Sequence, residues 1–258
     1  MNATKRKLAE GKLVLCMSIR QARSLDVVMV AAASGFDCMY VDLEHSPLSL
    51  ETASMLCTGS PALGITPLVR VPSHAHDAIS RALDGGAQGL LVPHVNSADE
   101  ARAVVRAARF PPVGKRSVMG PSPALAYRGM PLAEINDTLN RDTLMIVMIE
   151  TPEAVERADE IAAVDGVDML LIGSNDLCTE MGIPGQLRDP RLRQAYERVA
   201  AACRAHGRHL GVGGVRGDPE LQRELLALGS RFIIGGSDMS YLAAATAADV
   251  RTLRTLVP

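Results

Sequence analysis

Two carboxylates stand where short apolar runs stop: Glu150 in Ile149-Glu150-Thr151 and Asp176 in Ile172-Gly173-Ser174-Asn175-Asp176. If the two runs are neighbouring strands, both side chains reach one ion. Hard oxygen donors without a cysteine or histidine beside them suit Mg²⁺, Mn²⁺ or Co²⁺ better than a structural zinc. The plainer reading is that each is a helix cap or a solvated loop carboxylate. Asp42 and His45, three residues apart in Val41-Asp42-Leu43-Glu44-His45, could form a carboxylate–imidazole pair in which Asp42 orients and charges His45. A structural histidine is the alternative. Arg70, in Val69-Arg70-Val71, follows apolar residues and needs an anion, either a substrate group or a salt bridge to Asp42 or Glu44.

Other chemistries lack their residues. The lysines are Lys5, Lys7, Lys12 and Lys115, none in a strand-like run, so a Schiff base on a desolvated lysine is excluded. There is no GxSxG elbow and no Walker loop. Gly211-Val212-Gly213-Gly214-Val215-Arg216 approaches a dinucleotide fingerprint, but Arg216 replaces the third glycine, and the stretch reads as a strand end needing close backbone approach. His74 and His76 fall in a loop entering a helix, and His94 is placed at a pocket rim.

These residues must be held by the elements around them. Apolar runs at 14–19, 36–43, 66–71, 88–93, 145–149, 167–172, 209–213 and 231–236 alternate with segments of helical spacing. Runs such as MIVMI are apolar on both faces, as in a covered parallel sheet. Eight such units over 258 residues predict an α/β fold, a (β/α)₈ TIM barrel forming a single domain over 1–258, whose reactive groups gather at the C-terminal ends of the strands. Ser97-Ala98-Asp99-Glu100 caps the helix ARAVVRAAR, and Thr151-Pro152-Glu153 opens a helix through AVERADEIAAV. Pro111 to Asp142, rich in proline and glycine, reads as a lid or subunit-contact segment, and Ala243 to Leu256 as a helix packing on a neighbouring subunit.

Composition narrows the classes further. With 27 Lys+Arg against 29 Asp+Glu, no tryptophan and 3% aromatics, neither a phosphate-binding face nor base-stacking platforms are indicated, so no nucleic-acid partner is expected. No run is long enough for a membrane helix. Five cysteines without a CxxC pair suit free thiols in a reducing compartment, placing the protein in the cytoplasm.

The stretches YVDLEHSP, LVRVP, LDGGAQGLLVPHVNSADEARAVVRAARFPPVGKR, MIETPEAV, VDGVDMLLIGSNDL and LGSRFIIGGSD together resemble the HpcH/HpaI aldolase family, in that family's order over nearly the whole chain. The resemblance implies a class II, metal-dependent pyruvate aldolase, commonly a hexamer built as a trimer of dimers with an exchanged C-terminal helix. By position it implies Glu150 and Asp176 as metal ligands, Asp42 and His45 as an acid–base dyad, and Arg70 facing the substrate's keto oxygen. It places Asp84 toward a neighbour's site and the amides of Gly173, Ser174 and Asn175 around the pyruvate carboxylate. Three departures stand out: Met148 replaces a usual glutamine, Ser174 a proline and Ser117 a glycine. Gly213 replaces a bulkier aliphatic residue beside the aldehyde. The expected reaction is cleavage of a 4-hydroxy-2-oxo acid to pyruvate and an aldehyde. A decarboxylase or other lyase acting on a 2-oxo acid such as oxaloacetate, and a non-catalytic metabolite-binding barrel, are the alternatives.

Overall fold

All eight apolar runs become strands: β1 Val14–Ile19, β2 Cys38–Asp42, β3 Thr66–Arg70, β4 Gly89–Val92, β5 Leu144–Ile149, β6 Met169–Gly173, β7 His209–Gly213 and β8 Ser230–Ser237. In the computed structural model, which describes residues 2–256, they form a closed barrel in chain order. Every pairing is parallel, and β8 returns to β1. The interior is filled by alternate side chains of the strands, among them Cys16, Tyr40, Leu68, Leu91, Ile146, Met148, Leu171 and Phe232. The other set, for example Val41, Val69, Val147 and Ile172, packs under the surrounding helices. This two-sided burial is why the runs read as continuously apolar.

The helices are α1 Ala3–Ala9, α2 Asp26–Ala33, α3 Leu50–Gly59, α4 His76–Asp84, α5 Ala98–Ala108, α6 Leu132–Asp142, α7 Pro152–Glu156, α8 Ala158–Ala162, α9 Ser174–Glu180, α10 Pro190–Ala205, α11 Pro219–Ala227 and α12 Asp238–Arg254. Capping chemistry sets their starts. Ser97 Oγ accepts the Glu100 N–H, and Thr151 Oγ1 accepts the Ala154 N–H with Pro152 following it. α1 closes the barrel's N-terminal end. Leu8 packs into the barrel interior, Asn2 donates to the Gln88 carbonyl, and Lys5 pairs with Asp168 at 2.8 Å.

Three expectations are corrected. The segment following Thr151 is not one helix, because the chain leaves helical geometry at Arg157, whose φ is -99° and ψ 11°, and resumes as α8. Pro111 to Asp142 is not irregular throughout. Its last third is α6, whose Ile135 and Leu139 recur at helical spacing and are buried with Phe110. α12 begins at Asp238, earlier than expected, and fully buries none of its side chains, although Tyr241 in its first turn packs against Phe36.

Candidate active site

The strand ends on the C-terminal face carry a belt of charges. Register places Asp42 of β2 directly beside Arg70 of β3. Arg70 donates from Nε to Asp42 Oδ1 at 2.9 Å and from Nη2 to Oδ2 at 2.5 Å, and its Nη1 pairs with Glu44 at 3.0 Å. Arg20, just after β1, donates to Asp42 Oδ2 at 2.9 Å. Glu44 continues the belt to His94 Nε2 at 3.1 Å, and the His94 backbone N–H donates to Glu150 Oε2 at 2.9 Å. His94 takes a φ of 53° to do so, a conformation uncommon outside glycine and held here by that bond. Arginine and carboxylate therefore alternate from Arg20 to Glu44, and His94 joins Glu44 to Glu150.

Burial alone would raise the Asp42 carboxyl. The bonds and charge of Arg70 outweigh it and hold the group below its ordinary value. Glu150 lacks such a partner. Burial pushes it up to about 7, and the His94 N–H only partly offsets this, while the charges of Asp176 and Glu44 add to the rise. Glu150 follows Ile149, which is paired with Ile172, so its carboxylate faces the end of β6. A Cβ on Gly173 would lie 2.6 Å from Glu150 Oε1, so glycine is what admits the carboxylate there. Asp176 stands in the first turn of α9, exposed at the mouth.

Between these groups and the ends of β7, β8 and β1 lies a cavity of about 220 Å³, lined by Tyr40, Arg70, Met148, Gly173, Ser174, Asn175, Asp176, Gly213 and Ile234 together with Ser18, Arg20 and Arg216. Among the described residues no three His, Cys, Asp or Glu side chains converge as in a closed metal site. Glu150 Oε1 nevertheless accepts no hydrogen bond within the described chain, and the neighbouring Asp176 charge adds to the cost of ionising Glu150. Two hard oxygen donors in that state, beside open space, fit a divalent cation that keeps positions for water and substrate.

Of the sequence-predicted residues, Arg70, Gly173, Ser174, Asn175, Asp176 and Gly213 line this cavity, Asp42 and Glu150 stand behind Arg70 and Gly173, and His45 and Asp84 do not line it. Asp42 makes no bond to the His45 ring. Its Oδ1 accepts the His45 backbone N–H at 3.1 Å, and the imidazole is exposed, 3.7 Å from Glu44. The reason is directional: Asp42 is the last strand residue and points inward to Arg70, whereas His45 comes after the turn. Asp84 lies away from this chain's cavity, at the end of α4, where Arg116 Nη2 donates to it at 2.6 Å. Ser174 Oγ accepts the buried Tyr196 hydroxyl at 2.9 Å, a bond that a proline at this position could not make. Sequence reasoning named Glu44 only as a salt-bridge partner of Arg70, which it is, and passed over Tyr40 and over His94 as a partner of Glu44 and Glu150. The available signal was that Glu44 and His94 each lie two residues beyond a strand end.

A barrel with an acidic pair at β5 and β6 and a buried arginine at β3 is matched by a family model. The model described as HpcH/HpaI aldolase/citrate lyase covers residues 20–245. The chain belongs to this family. Among HpcH/HpaI relatives, the chain is 42% identical over 245 residues to the 4-hydroxy-4-methyl-2-oxoglutarate aldolase tasA of Hapsidospora irregularis, covering 94% of this chain and 91% of that one. It is 35% identical to the 4-hydroxy-2-oxo-heptane-1,7-dioate aldolase of Salmonella arizonae, covering 94% and 90%. The crystal structure of an HpcH/HpaI aldolase from Desulfitobacterium hafniense superposes with a TM-score of 0.93 at 31% identity, covering 98% of this chain and 97% of that one.

Proposed function

We propose that this HpcH/HpaI member is a divalent-metal-dependent aldolase that cleaves a 4-hydroxy-2-oxo acid to pyruvate and a second carbonyl compound, reversibly. The observation that carries this reading is the buried, elevated Glu150, close enough to Asp176 to feel its charge, beside the cavity that Asp176 and the Arg70 guanidinium line. Relatives named as aldolases of 4-hydroxy-2-oxo acids support it. Glu150 and Asp176 would hold Mg²⁺, Mn²⁺ or Co²⁺, which supplies a Lewis acid for the substrate's 2-oxo group.

In cleavage, the C4 hydroxyl loses its proton, C4 becomes a carbonyl, and the C3–C4 electron pair passes into the enolate of pyruvate. Arg70, fixed by Asp42 and Glu44, holds positive charge where the enolate oxygen develops. The first-turn amides of α9, at Ser174 and Asn175, receive the pyruvyl carboxylate. His45 accepts the C4 hydroxyl proton through a water, with Glu44 as the carboxylate beside its ring and Asp42 positioning the His45 backbone. Protonation at C3 then completes pyruvate.

Asp84 reaches a neighbouring subunit's site with Arg116 as its holder, in a homohexamer arranged as a trimer of dimers. The exposed apolar residues Met239, Leu242, Val250 and Leu253 of α12 support a covering subunit. All five cysteines are free and buried, in keeping with the cytoplasm. No helix among the described residues is long and apolar enough to cross a membrane.

Pyruvate release from a panel of 4-hydroxy-2-oxo acids and oxaloacetate, with each metal and with a chelator, tests the reading. Metal-dependent release from a hydroxy-oxo acid supports it. Release from oxaloacetate alone replaces it with a decarboxylase, and release from neither overturns it.

A further inference from the structure

Three arginines line the cavity, and they are not equivalent. Arg20 and Arg70 share the Asp42 carboxylate. Arg216 has no carboxylate partner among the described residues. Its guanidinium lies over the Tyr241 ring, 4.3 Å from the centroid. Arg216 is exposed at the cavity mouth, and its arm is held in place on two sides. Tyr241 supplies a cation–π platform from α12. On β8, Gly236 lets the arm pass close, since a Cβ there would stand 3.0 Å from Arg216 Cδ. A guanidinium stacked by its face keeps its N–H edges free, the arrangement that takes a carboxylate through paired hydrogen bonds.

Position around the barrel says which part of the substrate Arg216 meets. The acidic pair and the first turn of α9 sit at the ends of β5 and β6. Arg216 follows β7, the strand next to β6, and packs against β8 and α12, on the arc of the rim that continues from the acidic pair toward β8. With the pyruvyl unit at the first location, the atoms beyond C4 extend toward the second.

We propose that Arg216 is the specificity residue for a carboxylate on the acceptor half of the substrate. The carbonyl product is then itself a 2-oxo acid, and the substrate is a 4-hydroxy-2-oxo diacid bearing its second carboxylate on C4. This rests on the aldolase reading above. Between Arg216 and the acidic pair, Gly213 contributes no side chain, which leaves space for a further substituent on C4.

The test compares two substrates that differ only at C4: 4-hydroxy-4-methyl-2-oxoglutarate, and 4-hydroxy-4-methyl-2-oxopentanoate, in which a methyl replaces the carboxylate. Both release pyruvate. The wild-type protein with Mn²⁺ should favour the diacid in kcat/KM. Arg216→Met should lose about a hundredfold on the diacid, the order expected for a charge-assisted pair, while the monoacid changes less than threefold. Arg216→Lys should recover part of the loss. Metal-dependent proton exchange at the methyl of pyruvate, which needs only the donor half, should proceed in Arg216→Met at the wild-type rate. Equal losses on both substrates, an unchanged diacid rate, or lost methyl exchange would overturn the assignment. A wild-type protein that cleaves the monoacid but not the diacid overturns it too and leaves the aldolase standing. Cleavage of neither also overturns the assignment, and the panel of 4-hydroxy-2-oxo acids above then decides whether the aldolase reading stands.

Discussion

Arg70 and Asp42 form a two-bond pair across adjacent rungs of β3 and β2, with both side chains shut away from solvent. A guanidinium placed inside a barrel needs that carboxylate to remain charged and oriented. The pair therefore positions the cation of the site and also carries part of the fold's stability.

Removing one partner exposes this dependence. Asp42→Ala should destabilise the protein by about 3–5 kcal/mol, because Arg70 and Arg20 lose their shared anion, while the Asp42→Ala/Arg70→Met double variant should cost less than the single one. Denaturant unfolding of both variants checks the order, and equal losses would show that the pair is not coupled.

The same pair has a pH signature. Asp42 is held below its ordinary value in the fold and sits at about 3.9 unfolded. Its stabilisation is thus fully present above about 3.9 and is lost as pH falls through the lower folded value. Wild type should lose more stability than Asp42→Asn over this acid range, as followed by thermal unfolding between neutral and strongly acidic buffers.

Glu150 has the opposite sign. Burial raises its folded value to about 7, so without metal it costs nothing below the unfolded value of about 4.3 and progressively more as pH climbs through 7. Metal-free Glu150→Gln should exceed wild type in stability at pH 8 by on the order of 3 kcal/mol and match it near pH 4. Mn²⁺ should raise the wild-type Tm and leave the variant's unmoved. Pyruvate release should vanish in the variant and, in wild type, on chelation. A variant that keeps both the metal-induced shift and turnover would remove Glu150 from the metal site.

His45→Ala should lower kcat for cleavage by about 10²–10⁴ while pyruvate affinity stays within threefold. The exposed imidazole makes few packing contacts, so its Tm should barely change. An unaltered kcat would take His45 out of the proton path.

Ser174→Ala leaves the buried Tyr196 hydroxyl without its acceptor and should cost about 1–3 kcal/mol. Adding Tyr196→Phe should restore much of the loss, because the orphaned hydroxyl is then absent. Chemical denaturation of the single and double variants settles whether this bond explains the serine.

The barrel was legible because strands buried on two faces write uninterrupted apolar runs, and the helix starts because Ser97 and Thr151 bond backbone amides a fixed three residues ahead. α6 was hidden by the prolines and glycines preceding it, although Ile135 and Leu139 keep helical spacing. Candidate charges could be found from strand ends, but their pairings could not. Sequence distance favours Asp42 with His45, whereas lateral register favours Asp42 with Arg70. The salt-bridge alternative for Arg70 anticipated its contacts, though not that Asp42 is shared with Arg20. Arg216 looked like a spoiled nucleotide loop, since only folding brings it onto Tyr241 and beside the cavity.

The belt from Arg20 to Glu150 and the glycine-lined wall at the ends of β7 and β8 occupy different arcs of one rim. A change in the belt re-polarises every neighbour along it, so drift there is punished at once. A side chain added to the wall, as in Gly213→Ala, meets only the flexible tip of Ile234 at 3.1 Å. Such a molecule can inherit its bond-breaking apparatus intact and still acquire a new appetite, one wall residue at a time.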